Sequence, residues 1–386
     1  MAVLAAYPFI EVTIDTSGLT PVSQRSPGVI AIVGATAAVA AGGTAAIDTP
    51  LVVSTTDDAV QLFARKVGNV VTDTPLSRAL KLAMLQDPKP SKIYGVRADG
   101  NTLADYQAAL ASLEGVDDVT FVSIAEEYDA TKLAALTTHV ESVSAGGFRR
   151  IGVAAVDPAT AKTATYAATV NTAYTGLKSS VSRMILIAAR GVPATSDPAA
   201  AAMAAIAGYL PHISMTLKKI RGVVMPTKSQ YSPSEIRALS ELGIIPIIDP
   251  SLIEGESLHF ADARLYTTDA DLLFIDVMRV IDDIEFRLKA GLIGMIGDAR
   301  ITKSGLTRVK TRVDGILEPL VTRAVIESFV CNIPLLDILG LPDSARSAGE
   351  QAEIATARAN RVVEMFITVR YGPAVHRLKV SLLPMF

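Results

Sequence analysis

The chain has 386 residues, a formal net charge of -3, 50% hydrophobic residues against 5% aromatic ones, and one cysteine. The length leaves room for two or three domains of about 150 residues each, the near-neutral charge gives no general pull toward nucleic acid or an anionic membrane, and the lone Cys331 excludes an internal disulfide framework and a multi-cysteine metal site. A mean hydropathy of +0.37 is high for a soluble monomer and favours obligate assembly. No apolar run reaches the roughly 18 residues that cross a bilayer, and no basic segment precedes the short apolar start, so a soluble, non-secreted chain is expected.

In chain order, the first pattern is an isolated strand in which Ile10, Val12 and Ile14 alternate with Glu11, Thr13 and Asp15. A polar stretch containing Gly18 and Pro21 follows, to residue 28. Short apolar runs of strand length at 29–33, 93–96, 119–124, 151–156 and 184–188 then alternate with helical patterns at 103–113, 129–143 and 197–209, several entered through Asp or Thr caps. Runs at 223–225 and 244–248 extend the series, with a helix at 234–242 behind Pro233. Such alternation predicts an α/β layer with a mostly parallel sheet, ending near Pro250.

From Asp271 the period changes. Leu273, Phe274, Val277, Val280, Ile281, Ile284 and Leu288 recur at spacings of three and four, with acids early and Arg287 and Lys289 late, which predicts an amphipathic helix aligned with its macrodipole. A second helix is predicted from Lys303 to about Glu318, with Leu306, Val309, Val313, Ile316 and Leu317 on one face and a stop or kink at Pro319. Its other face is basic: Lys303, Arg308, Lys310 and Arg312, with Arg323 beyond, outnumber Asp314 and Glu318. Arg308 and Arg312 are four apart and share a face, which Lys310 flanks. Ser347 and Glu350 form a capping box for a last helix to Arg361. Two alternating runs follow: Val363, Met365, Ile367, Val369 and Tyr371, with Phe366 as the exception, and, past Gly372 and Pro373, Leu378, Val380 and Leu382. Terminal strands either join one sheet of their own subunit or pair with another molecule, because unpaired edges template further pairing.

Catalytic chemistry finds little support in these residues. The glycine-bearing stretch at 34–43 lacks both Lys-Ser/Thr and G-x-G-x-x-G, so an ordinary βα turn is expected rather than a phosphate loop. His139, His212, His259 and His376 have no ligand spacing. Asp282, Asp283 and Glu285 sit close together, but on an amphipathic helix they read as a solvated or salt-bridged face rather than an acid and base pair. Neither a cofactor nor a metal is expected.

The order of elements resembles the contractile tail sheath proteins of myophages, R-type tailocins and related injection systems. The motif SPGVIAIVGATA at 26–37 is similar to the PGV strand and VG turn that open the family's main domain. FIDVMRVIDDIEFRLK at 274–289 is similar to its late acidic-and-arginine helix, and the helix-to-double-strand ending at 350–383 carries a Gly-Pro break where the family has a Pro-containing one. The middle matches only in kind, and the family's frequent Trp before residue 274 is absent. The resemblance implies an α/β fold with a mostly parallel sheet in an outer domain, plus an inner α+β domain with strand-bearing arms: 1–25 as the N-terminal arm, 26–254 outer, 255–361 inner, 362–386 the C-terminal strands. It further implies a non-enzymatic subunit that polymerises helically around an inner tail tube protein, meets baseplate and terminator proteins, and binds no nucleic acid and inserts in no membrane. By the same resemblance Ile10, Val12, Ile14, Leu378, Val380 and Leu382 exchange between subunits, Gly18, Gly372 and Pro373 act as hinges, and Lys303, Arg308, Lys310 and Arg312 face the tube. Two alternatives remain open: a nucleotide-dependent α/β enzyme, and another tail component such as a tube or baseplate protein.

Overall fold

The computed structural model describes residues 26, 28–36, 43–193, 195–255 and 257–376. They form two compact units, one from Ser26 to Asp283 joined by the few residues after Gly372, the other from Ile284 to Gly372.

In the first unit β1 (Val29–Ala35) is followed by β2 (Pro50–Val52), α1 (Thr56–Phe63), a hairpin of β3 (Arg65–Val67) and β4 (Val70–Thr72), and α2 (Pro75–Met84). Strands β5 (Lys92–Ala98), β6 (Phe121–Ile124), β7 (Ile151–Ala155) and β8 (Met184–Ala188) then alternate with α3 (Leu103–Ala111), α4 (Ala130–Ala145), α5 (Tyr166–Tyr174) and α6 (Pro198–Gly208). The unit continues through β9 (Lys219–Ile220), α7 (Pro233–Glu241), β10 (Ile244–Ile248), β11 (Leu258–Phe260) and the start of α8 (Ile275–Leu292).

These strands make a nine-stranded sheet in the order β2-β5-β1-β6-β7-β8-β10-β11-β9. From β5 to β10 every pair is parallel, while β2, β11 and β9 join antiparallel at the margins. The inner strands β6, β7 and β8 are buried at every position, which is why they read as unbroken apolar runs rather than alternating ones. Helix α6 is buried at every residue from Pro198 to Ala207. Alanine makes that possible by letting the helix approach its neighbours closely: a Cβ at Gly28 would stand 2.4 Å from the Ala207 carbonyl oxygen. The apolar run at 223–225 is not a strand; β9 and β11, paired antiparallel, finish that side of the sheet instead. They are set by pairing rather than by period, being two and three residues long.

The second unit holds the end of α8, then α9 (Lys303–Thr322), β12 (Ser328–Asn332), α10 (Pro334–Gly340), α11 (Ala348–Asn360) and β13 (Phe366–Arg370). Pro319 does not stop α9, which runs on to Thr322. A proline inside a helix costs about 3 kcal/mol; Ile316, Leu317 and Leu320 bury around it, each worth about 1.5–3 kcal/mol, and offset that cost.

Beneath the parallel strands lies a fully buried guanidinium. Arg150 donates from Nη2 to the carbonyls of Leu113 and Val116, both at 2.7 Å, and from Nη1 to Nε2 of His139 at 3.0 Å. Burial first, and then the charge of Arg150, hold the His139 imidazole down at about 4. An unfolded histidine titrates at about 6.5, so the unfolded chain takes up the proton first as pH falls. The stability contributed here is complete above that value and is lost progressively as pH drops toward 4. In urea melts the wild type should lose roughly 3 kcal/mol more than His139→Gln between those limits; parallel pH profiles for the two proteins would refute the assignment.

Candidate assembly interface

The second unit packs thinly. Leu306, Val313, Ile316, Leu317 and Leu320 form the buried face of α9, yet α11, capped by the reciprocal Ser347 and Glu350 bonds read from the sequence, buries only Ile354. The helix ends at Arg361, in the left-handed region at φ 55°.

Beyond it, β13 pairs antiparallel with β12, Ser328 opposite Arg370 through Asn332 opposite Phe366. Among the described residues these two strands pair only with each other, so each has an outer edge without a neighbouring strand. The alternation read from the sequence appears as burial: Val363, Met365, Ile367, Val369 and Tyr371 are half-buried. Phe366, the exception, is 56% exposed, and Val330 on β12 is 65% exposed. One face of the ribbon is therefore turned inward through Cys331, Ile367 and Val369, and the other carries bare apolar side chains. A two-stranded ribbon of this kind is marginal in water by itself.

The basic residues of α9 do not form a single face. Lys303, Arg308 and Lys310 are exposed, but two residues round a 3.6-residue turn carry Lys310 roughly to the opposite flank from Arg308 and Arg312. Lys303 and Lys310, seven apart, border one side of the buried stripe, and the two arginines border the other. Arg312 is half-buried and donates from Nε to the Gly291 carbonyl at 3.1 Å, closing the turn between α8 and α9. At Gly372 a Cβ would meet nothing within 4 Å, so its conformation does not itself demand glycine, and Pro373 beside it is exposed. Ile10, Val12, Ile14, Gly18, Pro21, Leu378, Val380 and Leu382 lie outside the described residues.

The residues weighed for chemistry take structural partners. Asp282 pairs with Arg183, and Glu285 with Lys289 at 2.6 Å. His376 meets Ser214 Oγ at 2.7 Å and stands edge-on to Phe274; His259 bonds the Ser257 carbonyl. No group of three His, Cys, Asp or Glu that could hold a metal occurs among the described residues. Cys331 is buried, which pushes its thiol up. In doubly wound sheets ligands sit beyond the carboxyl ends of the strands where the order reverses, here between β1 and β6. That position carries an internal ion pair: Arg78 clasps Glu126 at 2.7 and 2.6 Å, and the Glu126 amide donates to Asp197, the fully buried cap of α6. Burial raises the Asp197 carboxyl to about 6 against the hydrogen bonds that lower it.

The contrast between the two arginines of α9 is measurable. Arg312→Met should cost the second unit about 1–2 kcal/mol, because it leaves the Gly291 carbonyl without that donor, whereas Arg308→Met should fall within about 0.5 kcal/mol of wild type. Chemical denaturation of both variants tests this; equal losses would mean that Arg312 has no anchoring role.

No family model matches the sequence, and no curated protein does. Solved structures do. The chain is similar to one in the baseplate of the anti-feeding prophage (AFP), with a TM-score of 0.67 and 16% identity over 100% of both chains. It is similar also to a chain of the AFP helical sheath in the contracted state, at 0.65 and 16% over 99% of each. A third likeness, at 0.67 and 14% over 99% of this chain and 98% of the other, is to the contracted sheath complex of PVC, an extracellular contractile injection system. At these identities the likeness is one of fold, and the fold is that of the contractile tail sheath proteins.

Proposed function

We propose that this chain is the structural subunit of a contractile tail sheath, which polymerises as a helix around an inner tube and shortens to drive that tube through a target envelope. Whole-length likeness to sheath chains carries the reading, and the open edges of β12 and β13 give it a physical means of assembly. The work is mechanical rather than catalytic. Its partners are further copies, an inner tube protein, and baseplate and terminator proteins, in a virion tail or phage-tail-like particle put together in the bacterial cytoplasm. The likeness to a baseplate chain supports a second reading, a sheath-fold component confined to the baseplate. Negative-stain images of the purified protein separate the two: a sheath subunit gives long hollow cylinders, a baseplate component only short rings.

On this proposal the arms bearing Ile10, Val12, Ile14, Leu378, Val380 and Leu382 add to the ribbon edges of neighbouring copies. Ordering about ten residues costs about 1–2 kcal/mol each, and burying about five apolar side chains returns about 1.5–3 kcal/mol each. The terms nearly cancel, so an arm orders only on a preformed edge and assembly is nucleated. Contraction then moves whole subunits, with Gly18, Gly372 and Pro373 absorbing the dihedral change. Deleting 377–386, which spares His376 and its bond to Ser214, should leave a folded protein that forms no cylinders; cylinders like those of wild type from this truncation would sink strand exchange.

Tube contact falls to the exposed charges of α9, Lys303 and Lys310 reaching round its solvent side from one flank and Arg308 from the other, with Arg312 held back by its own turn. Exposed ion pairs are worth about 0–1 kcal/mol each, strong enough in number to hold an extended sheath and weak enough singly to release. Reversing Lys303, Arg308 and Lys310 together should spare polymerisation yet abolish assembly on tubes, as raised salt should in wild type. Normal coating of tubes by the triple variant at low salt would show that α9 is not the contact.

A further inference from the structure

After β13 the chain returns to the first unit by a strap with a single anchor. Gly372, Pro373, Ala374 and Val375 are exposed and form no hydrogen bond among the described residues. His376 then turns inward. It is half-buried, its Nε2 lies 2.7 Å from Ser214 Oγ, and its ring stands edge-on to Phe274, the centroids 5.0 Å apart and the planes at 82°. Both walls of this niche are held by other bonds. The Leu217 amide donates to the Phe260 carbonyl at 2.8 Å and the Lys218 amide to the Met215 carbonyl at 3.0 Å, which closes the turn that carries Ser214. Phe274 sits between Leu273, whose carbonyl accepts from the Leu265 amide at 2.8 Å, and Ile275, whose amide donates to the Ala263 carbonyl at 3.0 Å. The Arg264 guanidinium stands over its ring at 5.7 Å. Leu217 takes φ +59°, which a bulky side chain rarely adopts; such a residue persists only where its surroundings fix it, so the niche is preformed and rigid.

One hydrogen bond and one ring contact seat His376 in it. Each is modest in water, and a state held by so little leaves roughly 1–10% of molecules open. The niche is therefore filled by default and readily vacated. Its place in the chain gives that a consequence. Leu378, the first apolar residue of the C-terminal run assigned above to exchange between copies, is two residues beyond His376, a span of about 7 Å at full extension. For Leu378 to enter a ladder on a neighbouring copy, that ladder must abut Ser214 of this one, or the His376 ring must leave. Leaving breaks only two contacts, and it adds 373–376 to the free segment, about 13 Å of further reach.

We propose that the His376 niche is an autoinhibitory latch. In the free subunit it is shut and holds the root of the C-terminal segment to its own copy; in the polymer it is open and residues 373–386 cross to a neighbour. The inference rests on the strand-exchange reading above, and adds to it a means by which a free subunit withholds its own segment. Only the open fraction is competent to join a neighbour, so the latch raises the subunit concentration needed for cylinders.

A removable tether tests it in the full-length chain. Ser214→Cys with His376→Cys, bridged by a short bis-methanethiosulfonate, pins the root of the segment, the native Cys331 being buried. The bridged protein should form no cylinders, and dithiothreitol, which removes the bridge, should restore them. His376→Ala deletes both contacts at a half-buried position, so circular dichroism should show an unchanged fold. This variant should form cylinders at an about tenfold lower concentration than wild type, and trypsin should cut its dilute subunits after Arg377 about tenfold faster. Bridged subunits that polymerise as freely as reduced ones, or an alanine variant with the threshold and cleavage rate of wild type, would overturn the latch while leaving strand exchange intact. Cylinders from the 377–386 deletion would overturn strand exchange, and the latch with it.

Discussion

A strand at the margin of a sheet presents backbone N–H and C=O groups that must find water, a cover or another strand, and the nine-stranded sheet and the β12–β13 ribbon meet that constraint in opposite ways. The nine-stranded sheet ends on β2, three residues opened by Pro50, and on β9, two residues opened by Lys219. Short margins with proline or lysine are how soluble proteins discourage edge-to-edge pairing. The ribbon has no such protection: β12 and β13 are five residues each, and Val330 and Phe366 are left bare on its open face. Among the described residues the ribbon's two edges are thus less protected than the margins of the large sheet.

Interior polar groups show the same division of labour. In the first unit the charges that could have served a ligand are spent on the fold itself. Arg150 ties three segments together beneath the sheet, and Arg78, Glu126 and Asp197 fill the strand-order reversal where doubly wound enzymes bind their substrates. In the second unit the arginines and lysines of α9 are mostly left to solvent, and its helices are held by few buried side chains.

How much of this could be read beforehand depended on burial. β8 was legible at 184–188, its observed bounds, because a strand covered on both faces needs an unbroken apolar run. The caps Asp129, Asp197 and Ser347 were legible too, since the side chain that satisfies the first turn must stand at its start. The stretch 50–84 gave no signal: β2 is too short for a period, and the exposed β3–β4 hairpin has no buried face to impose one. On β13 the alternation was plain, but its partner β12 was not, because a five-residue strand following a helix without a marked turn looks like loop. The basic stripe of α9 was misjudged for a geometric reason, residues two apart being nearly opposite on a helix, and Arg312 because a half-buried arginine cannot be told by composition from an exposed one.

Helix α6 carries a consequence of another sort. With every residue from Pro198 to Ala207 enclosed and most of them alanine, it has no polar face to fix its rotation, so its placement is set at its ends. Asp197 pins one end by accepting from the Ala200 amide, and at the other a Cβ on Gly208 would stand 1.9 Å from the Pro88 carbonyl oxygen. An inserted residue would lengthen the helix by about 1.5 Å, into a space already closed. The segment is therefore forgiving of exchange among small residues and unforgiving of insertion or deletion: what it encodes is a length.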